Sequence, residues 1–148
     1  MEALSHPFRQ RLHLRWADID ANYHLRHSAY YDLGAQQRMD GFAHFGLTQD
    51  GMREMAIGPV LFREECHFRS EIGIQDEVYL EMRITGLGMR HHKFRFEHLF
   101  RGPEGRDLAR LEVEGAWIDI VARKVVSAPA EVMEAMDRLP RTTEFAWF

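Results

Sequence analysis

What this 148-residue chain lacks narrows its identity first. It has one cysteine, Cys66, so an internal disulfide framework and a multi-cysteine zinc site are both excluded. No apolar run approaches the length of about 18 residues that a membrane-crossing helix needs. The opening MEALSHPFRQRLHLR also has no apolar h-region of the kind a secretory leader carries. A soluble, cytoplasmic protein without membrane contact is the expectation. Positive charge is not in excess either: 19 Lys and Arg stand against 23 Asp and Glu, for a net charge of −4. Proteins that neutralise phosphates carry the opposite balance, so no nucleic-acid partner is expected. Low-complexity segments and repeats of solenoid period are absent. So are the G-x-S-x-G elbow and the Rossmann and P-loop fingerprints. A hydrophobic share of 45% and a charged share of 28% suit one ordinary globular domain.

What is present is periodicity. FRQRLHLRW (8–16) alternates, placing Phe8, Leu12, Leu14 and Trp16 on one side of a predicted strand. Ser28 suits a helix N-cap, with Asp32 in the first turns where negative charge is tolerated. From there Tyr31, Ala35, Met39, Phe42 and Phe45 recur every three or four residues and predict a helix with an apolar stripe, ending at Gly46. Gly34 and Ala35 leave room for close packing on it. A short second helix is expected after Thr48, broken by IGP at 57–59.

Beyond Pro59 the period becomes two. Val60, Phe62, Cys66 and Phe68 are expected on one face, as are Val78, Leu80, Met82 and Ile84, and then Phe94, Phe96 and Phe100. DLARLEVEGAWIDIVARKVV (107–126) reads as one longer strand, with Gly115 a bulge or a point of close approach. GLGM (86–89) and RGPEGRD (101–107) are turn-rich joints of an antiparallel meander. A short helix over 129–138 and the aromatic tail PRTTEFAWF close the chain. The expected class is α+β: one domain over 1–148, with a core over about 8–139 and the tail, 140–148, packed on a neighbouring strand. A long apolar helix needs a curled sheet to wrap it.

Chemistry gathers in WADIDANYHLRHSAYYD (16–32). Strand parity carries Asp18 and Asp20 out on the same buried side as Trp16. Carboxylates there are costly unless paired, hydrogen-bonded or at a cavity mouth. The helix start near Ser28 turns its free amides and dipole towards the same loop. A carboxylate so placed can attack, or direct water at, a carbonyl whose oxyanion those amides receive. On the residues alone, Asp18 is also a structural acceptor that pins the loop, and Asp20 a solvated loop carboxylate. His24 and His27 lack a third ligand, and His91 and His92 are expected on opposite faces of a strand, so no metal site is expected. Cys66 reads as an inert core thiol. Arg90, Lys93, Arg123 and Lys124 are the basic residues placed to meet a phosphate, although charge on strand ends is ordinarily solvated surface.

The stretch WADIDANYHLRHSAY resembles the signature of the hotdog-fold acyl thioesterases, the group that includes the 4-hydroxybenzoyl-CoA thioesterase-like proteins and the acyl-ACP thioesterases. Their pattern is D-x-D, a His four residues after the second Asp and a Tyr ten after it; Asp18, Asp20, His24 and Tyr30 fall in register. Asn22 matches an asparagine of the acyl-ACP branch, and His27 a histidine common in the acyl-CoA branch. The likeness runs over roughly 8–139, through FRSEIGIQDEV with its Asp76 and ARKVVSAPAEV.

The resemblance implies a hotdog fold paired into homodimers or homotetramers, with the active site at the subunit interface and the acyl group along the helix. It implies hydrolysis of an acyl-CoA or acyl-ACP thioester to free acid and thiol without a cofactor. Asp20 inherits the role of nucleophile or general base, with Asn22 and His24 orienting it or its water. His27, Ser28, Tyr30 and Tyr31 are implied around the substrate, and Asp18 as structural support. Three departures stand out. Ala35 and Gln36 occupy the positions where many members carry a helix glutamate. ANY replaces the usual D-A-x-G context, and Arg26 and His27 stand where paired asparagines are common. The missing glutamate makes a non-catalytic acyl-CoA or lipid-binding module the rival expectation. A hotdog dehydratase fits the loop less well.

Overall fold

The computed structural model describes residues 6–148; residues 1–5, the start of the stretch read for a leader, lie outside the described residues. The first strand is shorter than its alternation suggests. β1 covers Phe8–Arg11, and the chain then tightens into a 3-10 turn at Trp16–Asp18. Parity ends with that turn: Trp16, expected on the buried side, is 78% exposed.

After the turn come α1 (Ala29–His44), α2 (Gln49–Glu54), β2 (Ile57–Phe68), β3 (Tyr79–Leu87), β4 (Lys93–Arg101), β5 (Asp107–Asp119), β6 (Lys124–Val125), α3 (Ala130–Arg138) and β7 (Arg141–Trp147). The strands form one sheet in the order β1-β3-β4-β5-β2, with β6 beside β5 and β7 beside β3. Pairing is antiparallel except for β7, which runs parallel to β3 and so lays the aromatic tail on a neighbouring strand. The sheet curls around α1, which is the hotdog arrangement. Among the described residues, no helix is long and apolar enough to cross a membrane.

Two expected strands are modified. β2 begins at Ile57 and accepts Pro59 because an edge strand needs ladder hydrogen bonds on one side only. A bulge between Leu61 and Arg63 then resets its parity. Val60 and Phe62 therefore do not share a face with Cys66 and Phe68. Beyond the bulge Glu64, Cys66 and Phe68 stand opposite the core residues Val113, Leu111 and Ala109, and so face α1. The expected strand over 107–126 is a hairpin: β5 ends at Asp119, and β6 returns to pair Val125 with Ile118. Gly115 is a point of close approach, since a Cβ there would lie 2.2 Å from the Val60 carbonyl oxygen. His91 and His92 occupy the β3–β4 turn rather than a strand, with His91 at φ 53°.

α1 lies unusually close to the sheet. A Cβ at Gly34 would stand 2.3 Å from Leu111 Cδ2, and one at Gly41 2.4 Å from Met82 Cε. Phe42 is buried among aromatic rings, 5.7 Å from Phe96 and 5.8 Å from Trp117. Tyr31, Ala35, Met39 and Phe45 of the expected stripe are only half-buried. The inner face instead carries Gln37 and Arg38, the latter 5% exposed, against the fully buried His98 of β4.

These polar groups are satisfied as a unit. Arg38 Nη1 lies 3.0 Å from His98 Nε2. A guanidinium can only donate, so Nε2 accepts and Nδ1 carries the proton. Nδ1 then donates to Gln37 Oε1 at 2.8 Å. The Gln37 amide nitrogen donates in turn to the carbonyls of Leu80 at 2.7 Å and Phe8 at 3.2 Å.

Burial, reinforced by Arg38, holds His98 well below its ordinary value of 6.5. The unfolded chain therefore binds a proton that the folded chain excludes, and stability falls as pH drops below about 6.5, at up to about 1.4 kcal/mol per pH unit. His98→Gln keeps an acceptor for Arg38 but cannot titrate. Thermal denaturation between pH 7 and pH 5 should show a flatter acid limb in this variant; an unchanged slope would assign the effect to other groups.

Candidate active site

The loop between β1 and α1 is a small hairpin closed by the bridge Ile19–Leu25. Asp20 holds its turn. Asp20 Oδ1 accepts the amides of Asn22 at 2.9 Å and His24 at 3.3 Å. The Asp20 amide donates to the His24 carbonyl at 2.9 Å. The turn takes Tyr23 to φ 66°, a left-handed conformation uncommon for a bulky residue. Asp20 is exposed, not on the buried side that alternation predicts, because the 3-10 turn intervenes.

Asp18 is its opposite. It is 3% exposed and accepts from Arg15 Nη2 at 2.7 Å and Nε at 3.1 Å, with Arg26 Nη2 at 3.6 Å. The Arg15 hydrogen bond holds the Asp18 carboxyl below its ordinary 3.8, against the opposing effect of burial. The Arg26 amide also donates to the Asp18 carbonyl at 2.8 Å.

Ser28 precedes α1 but does not cap it. Its backbone is already helical, and its hydroxyl accepts from Arg26. The Ala29 amide donates to the Arg26 carbonyl at 3.0 Å. Helix geometry leaves the next amides without an intrahelical partner.

Asp20, His24, His27 and Tyr30 line one cavity of about 510 Å³. Its other wall is the end of β2 and the residues after it, Phe68 to Glu71. The two walls are tied together by the Leu25 amide, which donates to the Ile72 carbonyl at 2.6 Å. His24 Nε2 lies 3.3 Å from Glu71 Oε2. The Tyr30 ring meets Phe68 edge-on at 4.9 Å and Phe100 at 5.0 Å. Burial chiefly, with Cys66, Asp20 and Glu71 adding, pushes the Tyr30 hydroxyl up to about 12. It stays protonated at neutral pH and can donate.

Asn22, Ser28 and Tyr31 are not brought into the cavity wall, and neither are Arg90, Lys93, Arg123 and Lys124. Asn22 contributes its amide to Asp20, while its side chain is exposed. Arg69, Ser70 and Glu71 were not expected in the site. Their only signal is the polar trio RSE directly after the alternation that ends at Phe68. Among the described residues one trio is spaced for a metal ion, Glu65, His67 and Glu112. It lies on the outer face of the sheet, where Arg63 and Arg110 already pair with Glu112.

A family model described as the thioesterase-like superfamily matches residues 14–136. No curated protein matches the chain. Among solved structures, a hypothetical protein from Aquifex aeolicus is 23% identical with a TM-score of 0.80, over 88% of this chain and 99% of that one. A hypothetical protein from Staphylococcus aureus in complex with CoA is 15% identical with a TM-score of 0.82, over 95% and 90%. A 1,4-dihydroxy-2-naphthoyl-CoA thioesterase from Synechocystis is 16% identical with a TM-score of 0.78, over 88% and 95%.

The two aspartates should separate in a stability measurement. Asp18→Asn removes charged hydrogen bonds from a buried carboxylate and should cost about 2 kcal/mol, whereas exposed Asp20→Asn should cost under about 1 kcal/mol. Urea unfolding midpoints at constant m-value read the difference.

Proposed function

The chain belongs to the thioesterase-like superfamily, and from that premise we propose that it hydrolyses an acyl-CoA or acyl-ACP thioester to free acid and thiol. The observation that carries the proposal is the convergence of Asp20, His24 and Tyr30 on one cavity at the start of α1. In this reading Asp20 attacks the thioester carbonyl, or takes the proton of the water that does. The early amides of α1 receive the developing oxyanion, where preorganised donors act most strongly. The thiolate leaves and takes a proton from water; where Asp20 is the nucleophile, water then cleaves the acyl-aspartyl anhydride, releasing the acid and restoring the carboxylate. His24 orients the attacking group and is itself oriented by Glu71, the carboxylate that this chain supplies from the loop after β2 rather than from the helix positions Ala35 and Gln36. Asn22 supports Asp20 through its amide, Asp18 fixes the loop, and His27 and Tyr30 face the substrate from the cavity wall.

The CoA bound to the Staphylococcus aureus protein and the CoA thioester named for the Synechocystis enzyme support CoA as the carrier. A second copy of the chain completes the site in this proposal. β2 pairs with β5 on one edge only and exposes Leu61, Phe62 and Phe68. Its free edge suits antiparallel pairing with another β2, as a dimer or as part of a tetramer in the cytoplasm. The rival, a module that binds acyl-CoA without cleaving it, draws on the missing helix carboxylate.

Thiol release from a panel of acyl-CoAs separates the two. Asp20→Asn should lose about 10²-fold or more in kcat while keeping fold and oligomer; full retention removes Asp20 from the chemistry. His24→Ala and Glu71→Gln should each lose less, and no more together than His24→Ala alone if Glu71 acts through His24. Leu61→Lys with Phe62→Lys should shift the elution volume to that of a monomer.

A further inference from the structure

β7 does not follow β3 residue for residue. Arg141 pairs with Ile84 and Ala146 with Gly86, so Thr85 alone is set against the stretch from Thr142 to Phe145. That stretch leaves the ladder as an arch. Beside it lies the outer face of the sheet. Arg83, Glu97 and Arg110 point away from α1, since their chain neighbours Met82, Ile84, Phe96, His98 and Leu111 are core residues. Together with Thr85 and residues 141–144 they line a cleft of about 470 Å³. It shares no residue with the Asp20 cavity. Its β7 wall lies beyond residues 14–136, the stretch that the family model matches.

Every side chain lining the cleft is an arginine, a glutamate or a threonine. Among the described residues, five buried side-chain nitrogen or oxygen atoms have no hydrogen-bond partner. Three of the five, Arg110 Nε, Arg141 Nε and Thr142 Oγ1, belong to this lining. Arg110 Nε lies 3.1 Å from Glu112 Oε1 but is not aligned to donate to it. Arg141 is held in place by Asp137, 3.3 Å from its Nη2, and by the Phe145 ring, 4.2 Å from its guanidinium carbon. A guanidinium can only donate, so both Nε–H groups call for an acceptor.

Glu97 is their complement. It is 7% exposed although it points outward, and no hydrogen bond or ion pair among the described residues engages its carboxylate. Burial raises that carboxyl above its ordinary 4.5, against the pull of Arg110, Arg83 and Arg101. An acceptor enclosed this way is costly without a donor. One water occupies about 30 Å³, whereas small-molecule sites span about 300–1,000 Å³, and the cleft falls in the second class.

We propose that this cleft binds the phosphate group of a small hydroxylated molecule, a sugar or polyol phosphate. The Nε–H groups of Arg110 and Arg141 and the Thr142 hydroxyl donate to the phosphate oxygens, where charge-assisted bonds are strong. Glu97 accepts from a hydroxyl of the same molecule. No aromatic or aliphatic side chain lines the cleft, so neither a stacked base nor an acyl tail suits it. The proposal is independent of the thioester reading of the Asp20 cavity.

The test titrates the ¹⁵N-labelled full-length protein with inorganic phosphate, glycerol 3-phosphate, glycerol and gluconate, in phosphate-free buffer. The Nε–H resonances of Arg110 and Arg141, assigned through Arg110→Lys and Arg141→Lys, report the site, and calorimetry gives the affinities. Both phosphates should move both resonances, with glycerol 3-phosphate about tenfold tighter than inorganic phosphate; glycerol should move neither. Thr142→Val should weaken both phosphates by about fivefold. Glu97→Gln should act in the opposite direction on inorganic phosphate, tightening it by removing a negative charge, while the advantage of glycerol 3-phosphate shrinks.

Resonances that stay fixed at millimolar phosphate overturn the site, as does binding that leaves them fixed. Equal affinity for the two phosphates means an adventitious ion only and overturns the proposal. Gluconate binding as tightly as glycerol 3-phosphate overturns the assignment to phosphate. Weaker or unchanged inorganic phosphate in Glu97→Gln also counts against it. Should the Glu97 or Thr142 variant not fold, the two arginine resonances and the affinity order in the wild type decide.

Discussion

The contact of α1 with the strands beneath it leaves no space for a side chain at Gly34 or Gly41, and the rest of the molecule is arranged around that closeness. A helix this near the sheet presents whole turns of backbone to it. The inward side chains are then limited to those that fit between the glycines: Tyr30, Gln37, Arg38 and Phe42. Two of the four are polar and out of reach of solvent, so the sheet must supply their partners. His98 does so, at the cost of staying neutral. The same seating fixes the start of α1 against the Asp20 loop and brings Tyr30 to Phe68 on the far strand.

Asp18 and Asp20 show how local backbone decides the use of one residue type. They are two positions apart, yet one is enclosed by Arg15 and Arg26 while the other is held by amides at the rim of a cavity. A guanidinium partner lowers the basicity of Asp18 and occupies its oxygens. Asp20 has no such cation, and its turn orients the carboxylate without neutralising it.

Much of this was legible from residue order. The period-two runs of β3 and β4, the helix over 29–44 and the spacing of Asp20, His24 and Tyr30 all appear in the chain as written. The failures have physical causes. Alternation continues through Trp16, but the Arg15–Asp18 hydrogen bonds close a 3-10 turn there and cancel parity. Hydrophobicity at spacings of three and four marked Tyr31, Ala35 and Met39 as the inner helix face; close approach at two glycines chose the neighbouring face. Arg69 to Glu71 reach the cavity because the Leu25–Ile72 hydrogen bond joins segments more than forty residues apart in the chain, which no local pattern encodes.

The bulge in β2 gives the edge strand two parities, and the side chains that face α1 depend on the one that follows it. Deleting Phe62 would remove the bulge and leave Arg63 opposite Glu114 and Glu64 opposite Val113, as they are now. A strand that kept Phe62 and paired regularly onward from Leu61 would instead turn Arg63, Glu65 and His67 inward in place of Glu64, Cys66 and Phe68. One irregularity on a sheet edge thus decides which side chains an entire wall presents, while Asp20, His24 and Tyr30 lie outside the strand it governs.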